Sequence, residues 1–151
     1  MSRFKSVLIM SIFLLPQLAF AADAAGLSVR ASTFDFETTL ERMQTEIEAR
    51  GATIVATVRH SSAAQSVGLS LRPTAVVIFG NPRLGTQLMQ LNQEVGIDLP
   101  LRILVWESAS GEVLVGYRPG DAITSSHGIE AAGLVDTMNT ALDGIANAAS
   151  G

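Results

Sequence analysis

Phe36, Leu40, Met43 and Ile47 recur at intervals of 4, 3 and 4, which places them on one face of a helix. Asp35 stands before the run as an N-cap, and Gly51 follows it in the position that ends helices. Upstream, Leu27 to Ala31 alternates and predicts a short first strand. The β-branched run from Thr53 to Val58 predicts the second. Ser61 or Ser62 then caps a short helix through Ala63, Ala64 and Val67, closed by Gly68. Pro73 opens strand three, Thr74 to Phe79, at the position where proline is tolerated. A second short helix carries Leu84, Leu88 and Met89. Strand four runs from Leu101 to Glu107 and strand five from Val113 to Tyr117, with a hairpin turn at Ser108 to Gly111. After an irregular stretch, Val135, Met138, Leu142 and Ile145 mark a long C-terminal helix. The fold class is α+β: a mainly antiparallel sheet packed by two long helices, with two short inserted helices.

The two central strands break the simple alternation. Strand three is apolar through Ala75, Val77 and Phe79 on one side and through Val76 and Ile78 on the other. Strand four places Leu101, Ile103 and Val105 on one side, Leu104 and Trp106 on the other. A sheet with one wet face alternates cleanly, so both faces here call for cover. Two long helices supply one layer. The rest falls to short helices or to a second copy, and a homodimer is the expected assembly.

The first segment stands outside this pattern. Arg3 and Lys5 precede an apolar run from Val7 to Leu15 that is too short to span a bilayer, and Ala19-Phe20-Ala21 follows. This reads as a secretory signal over residues 1–21, leaving a single domain at residues 22–151. Loss of Arg3 and Lys5 from 10 basic residues leaves 8, all arginine, against 14 acids, a net charge of −6. An acidic surface without a basic cluster argues against nucleic acid and against anionic lipid. With no cysteine, thiol redox, iron–sulfur ligation and covalent haem attachment are excluded, and no cofactor is expected. The expected location is periplasmic or extracellular, with no membrane association after signal cleavage.

Gly80-Asn81-Pro82-Arg83-Leu84-Gly85-Thr86 has the glycine spacing of a phosphate-cradling loop. The lysine is missing, however, with Gln87 after Thr86, and Pro82 deletes one cradling N–H. A plainer reading explains every residue: Gly80 turns the chain, Asn81 caps the helix and Pro82 takes its first position.

The runs Arg72-Pro73-Thr74, Phe79-Gly80-Asn81-Pro82, Gly85-Thr86, Leu88-Met89-Gln90, Asp98-Leu99-Pro100-Leu101 and Val105-Trp106-Glu107 resemble the bacterial family catalogued as domain of unknown function 302. His60, Tyr117 and His127-Gly128 fit the same pattern, so the resemblance spans essentially all of the mature chain. It implies a β-α-β4-α arrangement similar to the TATA-binding-protein fold, and association as dimers. The family's activity is not established, and no catalytic residue is carried over. Members commonly place an aspartate before the first histidine, where this chain has Arg59.

Candidate chemistry is sparse. His60 and His127 are the two histidines, too few for a metal site without further ligands. Trp106 and Tyr117 sit in apolar strands, where such residues serve as core anchors. Antiparallel counting sends Asn81, Thr86, Tyr117 and Arg118 toward one end of the sheet, with His60 at the other. If the segment after Arg118 folds back, His127 joins them over a floor of Phe79 and Met89, and free N–H groups of the short helix favour anions there. These five residues are the candidate ligand-binding set. The reading favoured is an exported, dimeric small-ligand-binding or interaction module rather than an enzyme. The alternative is a small hydrolase or isomerase with His127 or His60 as general base. Mass spectrometry of secreted protein should find an N-terminus at Ala22, within a residue or two; an intact Met1 would overturn the export reading.

Overall fold

A computed structural model describes residues 26–151, so the signal read at residues 1–21 lies outside the described residues. Strand β1, Ser28–Ala31, leads into helix α1, Phe36–Ala49. Asp35 caps α1 as its side chain accepts the Thr38 N–H at 2.9 Å. At the other end the Gly51 N–H reaches the Glu48 carbonyl at 2.9 Å and the Ala52 N–H the Ile47 carbonyl at 3.2 Å. That closure needs a left-handed residue, and Gly51 has φ 74°. Strand β2, Thr53–Arg59, then runs directly into α2, His60–Ser66. The cap position therefore falls on Arg59 and not on Ser61 or Ser62, with no side-chain capping bond.

Strand β3, Thr74–Gly80, is followed by α3, Pro82–Leu91, and by a 3-10 turn, Gln93–Ile97. Strands β4, Leu101–Glu107, and β5, Val113–Tyr117, form the hairpin. The stretch read as irregular holds a further helix, α4, Gly120–Ser126. It ends as α1 does, with Gly128 at φ 63° and its N–H on the Ser125 carbonyl at 3.1 Å. The long helix α5, Ala132–Ser150, closes the chain.

The five strands form one sheet in the order β1-β5-β4-β3-β2, and every neighbouring pair is antiparallel. The fold is α+β. Helices α1 and α5 lie side by side on one face. Beneath them Ala75, Val77, Phe79, Ile103, Val105 and Val115 meet Leu40, Met43, Ile47, Met138, Leu142 and Ile145, all 2% exposed or less. The α5 C-terminus is tied to the β1–α1 connection: Thr33 N–H donates to the Ser150 carbonyl at 2.9 Å, and Arg42 Nη2 to that of Ala148 at 2.7 Å. These bonds satisfy carbonyls that a helix end leaves without intrahelical partners.

The other face is different. Val76, Ile78, Leu104, Trp106 and Leu114 project from it and remain partly exposed. Val58, opposite Val76 in the register, is 38% exposed. The Trp106 indole lies across Gly116, where a Cβ would fall 2.9 Å from the ring. The glycine thus forms a shelf for the largest side chain on that face.

At the β1–β5 edge the Tyr117 hydroxyl donates to Asp143 of α5, and Arg30 approaches the same carboxylate at 3.6 Å. Tyr117 is 4% exposed, so it is a core anchor. Burial holds its phenol above the usual range, and the hydrogen bond to Asp143 adds to the shift. A raised pKa in the folded state means that Tyr117 contributes stability fully below about pH 10, lost as pH climbs through the raised value. It is the one tyrosine, and lysine is absent after Lys5, so its ionisation can be read directly by ultraviolet absorbance. Tyr117→Phe should cost about 1 kcal/mol at pH 8 and flatten the alkaline decline, as measured by urea unfolding. Asn81→Ala should likewise cost about 1 kcal/mol, through loss of the α3 cap seen in the Arg83 N–H bond at 2.9 Å.

Candidate functional site

Asn81 ends the sheet and begins α3, so whatever it does is done at both. Its side-chain oxygen accepts the Arg83 N–H, and its carbonyl accepts those of Leu84 and Gly85 at 3.1 and 3.0 Å. Pro82 has no N–H to give. The N–H groups of Arg83, Leu84 and Gly85, which such a cradle would use, are therefore spent on the loop's own helix. The free N–H groups expected to draw anions here are absent, because the cap uses them. Thr86 points to solvent from the next turn.

Beside this turn lies a cavity of about 390 Å³, bounded by the end of β3, α3, the 3-10 turn and the start of β4. Its lower part reaches Leu88 and Met138, both 0% exposed. Its mouth is formed by Met89 and by Val55, which is 63% exposed. Val55 reaches that position because the β2–β3 register shifts between Ile54 and Ala56, leaving one residue bulged. Asn81 and Thr53 supply the polar side chains of the lining, and no charged side chain contributes. Phe79, expected in the floor with Met89, belongs to the core instead.

Tyr117 and Arg118 border a different hollow, of about 250 Å³, with Arg102, Asp98 and the open-face residues Val76, Leu104 and Gly116. His127 caps the C-terminus of α4. Its Nε2 stands 2.7 Å from Asp98 Oδ2, and its carbonyl accepts the Asn92 side-chain amide at 3.0 Å. Asn92 follows the last residue of α3, whereas Asn81 precedes the first. A ten-residue helix is about 15 Å long. His127 and Asn81 thus belong to opposite ends of α3, and the five-residue candidate set divides between two places. Asp98 was missed as the partner of His127; its place two residues before Pro100 gave no hint of it.

The aspartate holds the imidazole in one orientation. The ring is only 12% exposed, however, and borders neither cavity. His60 is exposed in the first turn of α2, at the far end of the sheet from Asn81. The preceding Arg59 makes a paired contact with Glu37, both bonds 2.7 Å. Among the described residues no group of three His, Asp or Glu is placed to hold a metal ion.

Three comparisons bear on this arrangement. The family described as "Domain of unknown function DUF302" matches residues 28–149. Over 98 residues the chain is 40% identical to "Fluoride-specific ion channel FluC 1" of Brucella suis biovar 1 (strain 1330), covering 65% of this chain and 38% of that one. It is equally similar to "Fluoride-specific ion channel FluC 2" of Brucella melitensis biotype 1, with 65% and 36% covered. The match therefore spans well under half the length of these relatives. Among solved structures, the uncharacterized conserved protein DUF302 from Bacillus stearothermophilus superposes with a TM-score of 0.76 at 16% identity, covering 83% of this chain and 99% of that one. That likeness reaches the fold alone, but the sequence match covers nearly everything described: the chain belongs to the family of domain of unknown function DUF302.

Proposed function

We propose that this chain is an exported interaction module, periplasmic or extracellular, that works as a homodimer with the open sheet faces of two copies packed together. The observation that carries the proposal is the apolar row of Val76, Ile78, Leu104, Trp106 and Leu114 on a face that α1 and α5 do not cover. At about 25 cal/mol per Å², a few hundred Å² of such surface left wet forgoes several kcal/mol, a large share of a small domain's stability.

A second copy suits this face better than a charged partner does. Arg102 is the one charged side chain on the central strands' open side, so little there selects for an oppositely charged surface. A two-fold axis also sets like against like, and rows of Val, Ile and Leu are self-complementary. Dimers are what the family resemblance implies as well. The Brucella relatives support the module reading in another way. There a similar segment forms a part of longer polypeptides named as fluoride-specific ion channels, as befits a unit that is combined with other functions. Among the described residues no helix is long and apolar enough to cross a membrane.

The general-base alternative is weaker. His127 has its carboxylate partner, but the ring borders neither cavity. Sedimentation at tens of micromolar should show a dimer. Leu104→Asp should dissociate it, at least about tenfold in affinity, while leaving the helix-covered core intact. The Trp106 emission should shift to the red in the same variant. A strictly monomeric wild-type protein with water-exposed tryptophan emission would overturn the proposal.

A further inference from the structure

The cavity beneath α3 is separate from the open face and asks for its own occupant. We propose that it is a binding site for a small, uncharged, largely hydrocarbon molecule of one or two rings, carrying at most one or two polar atoms. The proposal does not depend on dimerisation.

Size is the first argument. An engineered cavity of about 150 Å³ lined by Leu, Ile and Phe stays dry and admits benzene. The volume here, about 390 Å³, is more than twice that and falls within the range of about 300–1,000 Å³ typical of ligand pockets. Charge is the second. The lining contains leucines, methionines, prolines and glycines but no ionisable group, so an ion entering it would lose its hydration without gaining a partner. The helix start offers no substitute, since its N–H groups are already bonded within the cap.

The third argument is Gly85. It lies inside α3, where glycine is among the poorest helix formers. Its φ is not in the left-handed region, so the backbone does not require it. A Cβ at this position would meet only Leu99 Cδ1, at 3.7 Å, an ordinary contact. Packing does not require glycine either. What its missing side chain leaves is room for a methyl group, on the cavity wall beside Leu99. Gly80 and Gly96 border the same space, and a Cβ at either would likewise meet a neighbour at 3.5 Å, without a clash.

The polar groups set orientation. Asn81 Oδ1 already accepts the Arg83 N–H, while the two N–H bonds of its amide stand ready to donate to a guest. Thr53 adds a hydroxyl. A guest with a carbonyl, ether or phenolic oxygen would direct that atom toward the rim and its rings toward Leu88 and Met138. Met89 and Met138, with unbranched and polarizable side chains, allow the walls to adjust to guests of different outline.

N-phenyl-1-naphthylamine, a neutral fluorescent probe, tests this on the purified full-length mature protein. Its emission should rise on binding, with saturation at one probe per chain. Affinity should fall in the order Gly85, Gly85→Ala, Gly85→Leu, by about tenfold or more at the last. Gly85→Ala should also raise the melting temperature, because alanine favours helix. Should Gly85→Leu fail to fold, the alanine variant alone decides the order. Leu104→Asp, placed on the open face, should leave probe affinity unchanged. The anionic analogue 8-anilinonaphthalene-1-sulfonate should bind at least about tenfold more weakly than the neutral probe. No binding by the wild-type protein, affinity independent of residue 85, loss of binding in Leu104→Asp, or equal affinity for the anion would each overturn the proposal.

Discussion

The structure turns on a shortage of helix. Two strands in the middle of the sheet, β3 and β4, are apolar on both sides, yet the chain has two long helices, and both lie on the same side. Contacts between α1 and α5 explain why they are not split. Arg42 of α1 bonds the carbonyl of Ala148, and the Arg50 guanidinium packs where Gly144 lacks a side chain. Thr33 also holds the end of α5 to the connection that begins α1. Once paired in this way, the helices bury one face completely and can do nothing for the other. The partly exposed row from Val76 to Leu114 follows from that pairing.

Much of the fold was legible because its local signals agreed with one another. Asp35, the spacing of Phe36 to Ile47 and Gly51 each pointed to the same helix, and each proved to act as its type suggests. Strand ends were legible for a similar reason: Pro73, Gly80 and the Ser108–Gly111 turn leave the chain few choices. Helix α4 was not legible. It has no side-chain cap, and its seven residues are too few to show a helical period. The one signal available was Gly128, which closes α4 as Gly51 closes α1. Reading that glycine as a terminator, with Ile129 just after it, would have implied a helix upstream.

The candidate site was legible in part. The Asn81 turn was correctly read as a cap, and a pocket lies beside it. Antiparallel counting places Asn81, Thr86, Tyr117 and Arg118 toward one end of the sheet, with His127 joining only if its segment folds back there, and the structure divides this set. Register fixes only how far along a strand a residue lies. It does not say on which side of the sheet, or at which end of an inserted helix, a later segment will return. Tyr117 turned toward α5, and Arg118 borders the hollow reached from the open side. His127 was drawn to Asp98, at the other end of α3. Apolar residues defined the cavity instead, and Val55 reached its mouth through a bulge that no alternation pattern reveals.

Apart from closing helices at Gly51 and Gly128, glycine serves two opposite purposes in this molecule, and the difference separates space the chain fills from space it leaves open. At Gly116 and Gly144 the space of the missing side chain is taken by the chain itself: the Trp106 ring at 2.9 Å from a hypothetical Cβ, and the Arg50 guanidinium against Gly144. Those glycines are explained by their own neighbours. At Gly80, Gly85 and Gly96 the nearest atoms stand at 3.5 to 3.7 Å, where a methyl group would fit. Tight interiors rarely leave such space unfilled, since a void forfeits the dispersion contacts that its lining would otherwise make. Three such positions bordering one cavity, one of them inside a helix that alanine would stabilise, mark a place where the fold gives up packing.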